Sequence, residues 1–233
     1  SKNRNNFSCK KAEHIVAEIF YAFANALATQ QNYMLSNFYI SLSKYLNPNF
    51  LSYNALVAEN FIMLGKYEEA KKIYKKVKEI GSFYEWHASK EIASIMIQQN
   101  EKKEATSYLF KIYDKLDKTI FRSFDLANFL KTQEDYEDAI KLYSEILKKI
   151  DKNHSLYAKV LDRRGTSYER IGKWELGEQD LLLSLKVLPD QAYTINYLAY
   201  TWIEKGKNTE KALKMLKKAN TLRKNDGYII DSL

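Results

Sequence analysis

Small side chains recur along the 233-residue chain at Ala24, Ala58, Ala93, Ala127, Gly165 and Ala199, at intervals of 34, 35, 34, 38 and 34 residues. A fixed period of that length marks a stacked architecture, in which one supersecondary unit is copied and buries its apolar face only against its neighbours. A second small series trails the first by twelve or thirteen residues, at Ser36, Ala70, Ala105, Ala139, Gly177 and Ala212. Large apolar residues stand three positions after each first small residue (Leu27, Phe61, Met96, Leu130, Tyr168, Trp202). Others stand four positions after each second one (Ile40, Tyr74, Leu109, Tyr143, Leu181, Leu216). The pattern predicts two antiparallel helices per unit, whose axes approach at the small residues while the large ones fill the groove beside them.

Turn-forming residues separate the two helices: Gly65-Lys66, Asn100-Glu101, Gln133-Glu134-Asp135, Gly172-Lys173 and Gly206-Lys207-Asn208. Pro48 and Pro189 stop the second helix of their units. All seven Gly find a structural place, Gly65, Gly172 and Gly206 in those turns, Gly81 and Gly227 between units, Gly165 and Gly177 in packing slots. None is left for a phosphate-binding loop.

An apolar fraction of 45% excludes a disordered chain, and the scarcity of Gly and Pro excludes a collagen-like or linker segment. One Cys, Cys9, excludes an internal disulfide framework and a multi-Cys zinc site. His14, His87 and His154 are far apart, without the four-residue spacing of a metal-binding helix. The sequence therefore predicts no catalytic residue, no cofactor and no metal. No run of 18 uncharged apolar residues exists; the most apolar tract, residues 17–28, already contains Glu18 and Asn25. The 37 Lys and Arg exceed the 29 Asp and Glu, a net charge of +8, but only Arg4, Arg122, Arg163, Arg164, Arg170 and Arg223 carry the fork that suits phosphates and base edges.

These positions resemble the tetratricopeptide repeat (TPR), whose 34-residue unit places small residues at its eighth and twentieth slots and Pro near its thirty-second. Six units are in phase: 17–50, 51–84, 86–119, 120–153, 158–191 and 192–226, followed by the start of a seventh at 227–233. The resemblance implies an all-α fold, an α-solenoid coiled as a right-handed superhelix, forming one domain over 17–233. Residues 1–16 form a basic lead-in, read either as a disordered arm or as the start of a helix. Departures stand at the small twenty-seventh slot, which is Val77, Ile112 and Ile146 in the middle units, and at the usually apolar seventh slot, which is Arg164 in the fifth.

Residues Leu188-Pro189-Asp190, Asn196 to Tyr200 and Asp226 to Leu233 resemble a proteobacterial group of exported TPR proteins. That resemblance implies the bacterial cell envelope or periplasm, with the cytoplasm as the alternative. A start at Ser1 and an end inside an apolar pattern lead to the expectation of a piece of a longer protein.

A solenoid of this family implies a protein–protein interaction scaffold whose first helices line a concave groove for a peptide or protein partner. Applying the family's groove slots to units four to six gives Asn128, Lys131, Lys159, Asp162, Arg163, Thr166, Arg170, Tyr193, Asn196, Tyr197 and Tyr200. Tyr combines wide contact area with a polar tip, which suits such surfaces; the same rings could instead pack between helices. The chaperone-tail clamp of the family maps onto Lys90, Ser94, Asp125, Lys159 and Arg163, where Asp125 puts a carboxylate opposite the ligand's own. The Asn ladder of a glycosyltransferase class maps onto Ala22, Leu56, Glu91, Asp125, Arg163 and Tyr197, and is absent. Two other functions stay open: binding of nucleic acid or an anionic surface through Lys-rich faces such as 71–78 and 211–218, and recruitment of substrate for a larger enzyme.

Overall fold

A computed structural model describes residues 11–48 and 52–232. Twelve helices and a final turn of helix follow one another, and no strand occurs among the described residues. The residues read from sequence as one solenoid group into two compact units, Ser1–Leu116 and Asp117–Leu233.

The first unit holds α1 (Ala12–Thr29), α2 (Tyr33–Leu46), α3 (Ser52–Met63), α4 (Tyr67–Lys78), α5 (Ser82–Gln98) and α6 (Lys102–Lys115). The second holds α7 (Ile120–Thr132), α8 (Tyr136–Lys149), α9 (Tyr157–Arg170), α10 (Trp174–Val187), α11 (Ala192–Glu204), α12 (Thr209–Leu222) and α13 (Gly227–Ile230). Within each unit every helix packs on its neighbours in sequence. α1 begins at Ala12, so the end of the basic lead-in is helical; residues 1–10 lie outside the described residues.

All twelve small residues of the two series are buried. Their role is sharpest between α9 and α10. A methyl group on Gly177 would meet the Gly165 carbonyl oxygen at 2.7 Å, and one on Gly165 would meet the Gly177 carbonyl oxygen at 2.9 Å. The two backbones touch there, which no side chain permits. The large residues of the second series are buried around these contacts. In the first unit Ala58, Ala70, Tyr74, Ala88, Ile92 and Ile95 form one apolar cluster. In the second, Trp174, Leu181, Leu198, Ala199, Trp202 and Leu216 form another.

Each hairpin turns in the same way. Gln31, Gly65, Asn100, Glu134, Gly172 and Gly206 adopt φ between 62° and 75°. The amide after each reaches back to the carbonyl of the large apolar residue five positions earlier, as in Lys66 to Phe61 (2.8 Å), Asp135 to Leu130 (2.9 Å) and Lys207 to Trp202 (2.8 Å). This is the Schellman arrangement, and it satisfies carbonyls that the helix end leaves open.

Where the twenty-seventh slot is Ser, its hydroxyl donates across the hairpin to the first residue of the repeat: Ser43 to the Ala17 carbonyl, Ser184 to the Ala158 carbonyl (2.8 Å). Ile112 and Ile146, which replace Ser in the middle repeats, are buried and fill the same gap with apolar volume. Arg164 is accommodated as an ion pair. Its Nε and Nη2 donate to both oxygens of Asp180 at 2.7 and 2.8 Å, and Nη1 donates to Ser144 at 3.0 Å, tying α8, α9 and α10 together.

Candidate peptide-binding surface

The first helices of the second unit, α7, α9 and α11, carry the groove residues expected from sequence. A cleft of about 570 Å³ opens among them, bordered by the α10–α11 turn and the end of α12. Asn128 of α7, Lys159, Asp162 and Arg163 of α9, and Tyr193 of α11 line it. Helical spacing explains the grouping: residues 159, 162 and 163 lie three and four apart and share one face of α9.

Hydrogen bonds fix the walls. Thr194 donates to Asp162 at 2.7 Å across α11 and α9, and Tyr143 donates to Asn128 at 2.8 Å. The Tyr193 hydroxyl donates to Asp226 at 2.6 Å, and the Arg223 guanidinium lies 5.4 Å over the Tyr193 ring. That hydrogen bond is the first cause that raises the Tyr193 phenol above its ordinary pKa, so the ring presents a neutral hydroxyl. Gln191 holds the turn below the cleft, its Nε2 donating to the carbonyls of Ser184 and Leu188 and to the Ser184 hydroxyl.

The six other expected residues fall in different places. Lys131 is half-buried near Arg163, Asp162 and Arg170; burial first, and then the Arg163 charge, holds its ammonium below the ordinary Lys pKa. Tyr197 donates to Glu169 at 2.6 Å and is half-buried, while Arg170 is exposed beside the same carboxylate at 3.8 Å. Tyr200 is exposed and bonds to Glu204, which raises its phenol pKa. Asn196 is buried and donates to Ser232 at 3.0 Å, and Thr166 is buried and donates to the Arg163 carbonyl at 3.0 Å. In this conformation Asn196 and Thr166 hold the chain together and offer nothing to the groove surface.

Phe124, Asp190, Gln191, Thr194 and Arg223, with the apolar Leu188, Ala192 and Leu222, complete the lining and were not expected from sequence. One signal for Arg223 was available: it is one of only six Arg in a Lys-rich chain, and five of the six lie in the second unit.

The Lys-rich faces are partly neutralised. Lys71 pairs with Glu68 at 3.0 Å, Lys141 with Asp138 at 2.6 Å and Lys218 with Asp190 at 2.8 Å. Lys72, Lys75 and Lys76 are exposed on α4, as the outer-face reading expects. Lys78 departs from it: half-buried, it donates to the Tyr108 hydroxyl at 2.9 Å and packs over that ring. Among the described residues no helix is long and apolar enough to cross a membrane, and no group of three His, Cys, Asp or Glu is placed to hold a metal.

No protein-family model matches the sequence, and no curated protein matches it. Solved structures do. The chain is similar to a tetratricopeptide repeat protein from Parabacteroides merdae, at 15% identity with a TM-score of 0.63, over 93% of this chain and 82% of that one. The fold is that of a tetratricopeptide-repeat solenoid. The chain is also similar to one in the APC/C hetero-tetramer Cut9–Hcn1, at 17% identity and TM-score 0.58, covering 93% of this chain and 42% of that chain. It thus spans less than half the length of that structure's chain. A MamA double mutant is similar at 13% identity and TM-score 0.55, over 74% of this chain and 93% of that one. The tetratricopeptide fold gives the α7, α9 and α11 cleft its setting: successive first helices presenting one side-chain face each.

Proposed function

We propose that this chain is a protein-interaction scaffold, and that the second unit holds an extended, acidic peptide segment of a partner across α7, α9 and α11. The observation that supports this reading is the convergence of Asn128, Lys159, Asp162, Arg163 and Tyr193 on one open cleft. Charge favours an acidic ligand. The cations Lys159, Arg163 and Arg223 face the cleft, whereas Asp162 is hydrogen-bonded by Thr194 and lies 3.9 Å from the Arg163 guanidinium, and Asp190 is paired with Lys218. Asn128 and Gln191 add amides able to read a peptide backbone, and Tyr193 adds a flat apolar face. The role is binding rather than catalysis.

The test is binding of an arrayed acidic-peptide library to the whole chain and to a variant carrying Arg163→Ala with Tyr193→Ala. Selected peptides are expected to bind the variant at least about tenfold more weakly, the loss of one good contact or more. Equal affinities would remove the cleft from the account. The resemblance of the Leu188 to Asp190 and Asp226 to Leu233 segments to exported proteins supports extending the proposal to the cell envelope, which fractionation of cells carrying a tagged gene checks.

A further inference from the structure

The first hairpin breaks the repeat's surface pattern in two ways. Two positions before the second small residue, the other repeats carry Glu68, Lys103, Glu137, Glu175 and Glu210, but α2 carries Met34. Two positions after it, they carry Lys72, Ser107, Lys141, Gln179 and Lys214, but α2 carries Phe38. Tyr45 stands nine positions after it, where the others place Glu79, Asp114, Lys148, Lys186 and Thr221. Met34 is 72% exposed, Phe38 56% and Tyr45 85%. These apolar side chains occupy the face that every other repeat gives to water.

The second break is on α1. Five residues before the first small residue, four of the five later repeats place Tyr53, Ala88, Val160 and Thr194, all buried, and the fourth repeat places the half-buried Arg122. The corresponding Ile19 is 49% exposed, and Phe23, one turn on, is 56% exposed. Ile15, Ile19 and Phe23 are four apart and form one stripe. The Tyr39 ring joins this stripe to the one on α2, with centroids 5.9 Å from Phe20, 6.0 Å from Phe23 and 5.7 Å from Phe38.

We infer that this joined face is a self-association surface, covered in solution by the same face of a second copy of the chain. Two physical arguments select that occupant. Residues 12–46 carry only Glu13, Glu18 and Lys44 as charges, in a chain of net charge +8, so pairing the face with itself opposes almost no like charge. A lipid surface would call for a Lys and Arg rim along the face, and α1 and α2 themselves carry one Lys, Lys44, the basic lead-in standing ahead of Ala12. Eight large apolar side chains of α1 and α2 are exposed. Together they present on the order of 700 Å². That is more than monomers commonly leave open and close to one partner's share of a standard interface.

Sedimentation velocity over a concentration series of the whole chain tests this. The expected result is conversion from a 27.3 kDa monomer to a dimer as concentration rises. Phe23→Glu with Phe38→Glu places four charges in the symmetric interface and is expected to raise the dissociation constant by about 100-fold or more. Ile15→Glu with Met34→Glu, on the same two stripes, should do the same, so a folding defect in one pair leaves the other informative. Helical circular dichroism should be unchanged in both. Phe83→Glu, an exposed aromatic elsewhere on the unit, should leave the dimer intact. A monomer at every concentration overturns the inference, as does a dimer indifferent to both pairs. So does a monomer that associates only after residues 1–10 are removed, because the face would then be covered from within the chain. A monomer that floats with vesicles, and loses that property in the variants, would give the face to lipid instead.

Discussion

Glu134 and Gln31 sit in the left-handed region with side chains that gain nothing from it. The same turn is made by Gly in three other repeats, so the backbone demands the geometry and these two residues bear its strain. Replacing Glu134 by Gly is expected to stabilise the protein by about 1 kcal/mol, seen as a higher urea midpoint at constant slope. Gly177→Ala acts in the opposite sense. Its methyl would stand 2.7 Å from a backbone oxygen that cannot swing aside, so the midpoint should fall by the equivalent of about 2–3 kcal/mol. Lys131 carries the pH dependence. Its depressed pKa means the ammonium is lost as pH rises through a range below that of an ordinary Lys. Lys131 stands beside Arg163 and outside the cleft lining. On the proposed reading, binding of an acidic peptide should therefore weaken only modestly with rising pH in that range by titration calorimetry, and Lys131→Arg should flatten the profile.

At the scale of elements, the Arg164–Asp180 pair shows how the solenoid absorbs a polar intrusion. Asp180 is buried, so Asp180→Ala leaves a guanidinium without its bidentate partner and should cost about 3 kcal/mol. Arg164→Leu combined with Asp180→Leu should recover most of that loss in chemical denaturation, because an apolar residue at this slot is what the rest of the repeats use. The helices themselves were legible in the sequence. The small series fixed which faces meet, because a steric requirement at a close backbone approach leaves a residue type at every copy. Arg164 broke the apolar pattern in sequence, but its answer, Asp180 one helix later, is a pairing that no local period encodes. The first hairpin's turn, Gln30, Gln31 and Asn32, was also hidden: it carries no charged or Gly residue to mark it, and its left-handed residue is set by the Schellman bonds rather than by composition.

At the scale of the molecule, the side-chain bonds that link one repeat to the next join residues near in sequence, such as Thr194 to Asp162 and, at the far end of the range, Asn196 to Ser232, 36 residues apart. Stability should therefore behave as a sum of neighbouring terms. Native-state hydrogen exchange is expected to resolve separate protection levels for α1–α6 and α7–α12, dividing between Leu116 and Asp117. One shared level for all twelve helices would contradict that division. The candidate site was legible only in part. Lys159, Asp162, Arg163 and Tyr193 follow from helix phase, since a face repeats with the helix. Gln191 and Arg223 come from the ends of elements, whose direction depends on how α10 and α12 stop. Asn196 has the right phase, yet it is buried and its Nδ2 donates to the chain's own Ser232.

The six hairpin bends are closed by main-chain bonds that accept at the large apolar residue, and five of them keep the two small residues twelve apart while the α11–α12 bend takes thirteen. Residues 154–157 of the second unit are added between repeats and run into the first turn of α9, and the Leu156 amide donates to His154 there. A foreign cassette spliced at the exposed Asn153 should ride as a passenger on the surface of the second unit, whereas the same cassette spliced at Gln133 would unzip its hairpin.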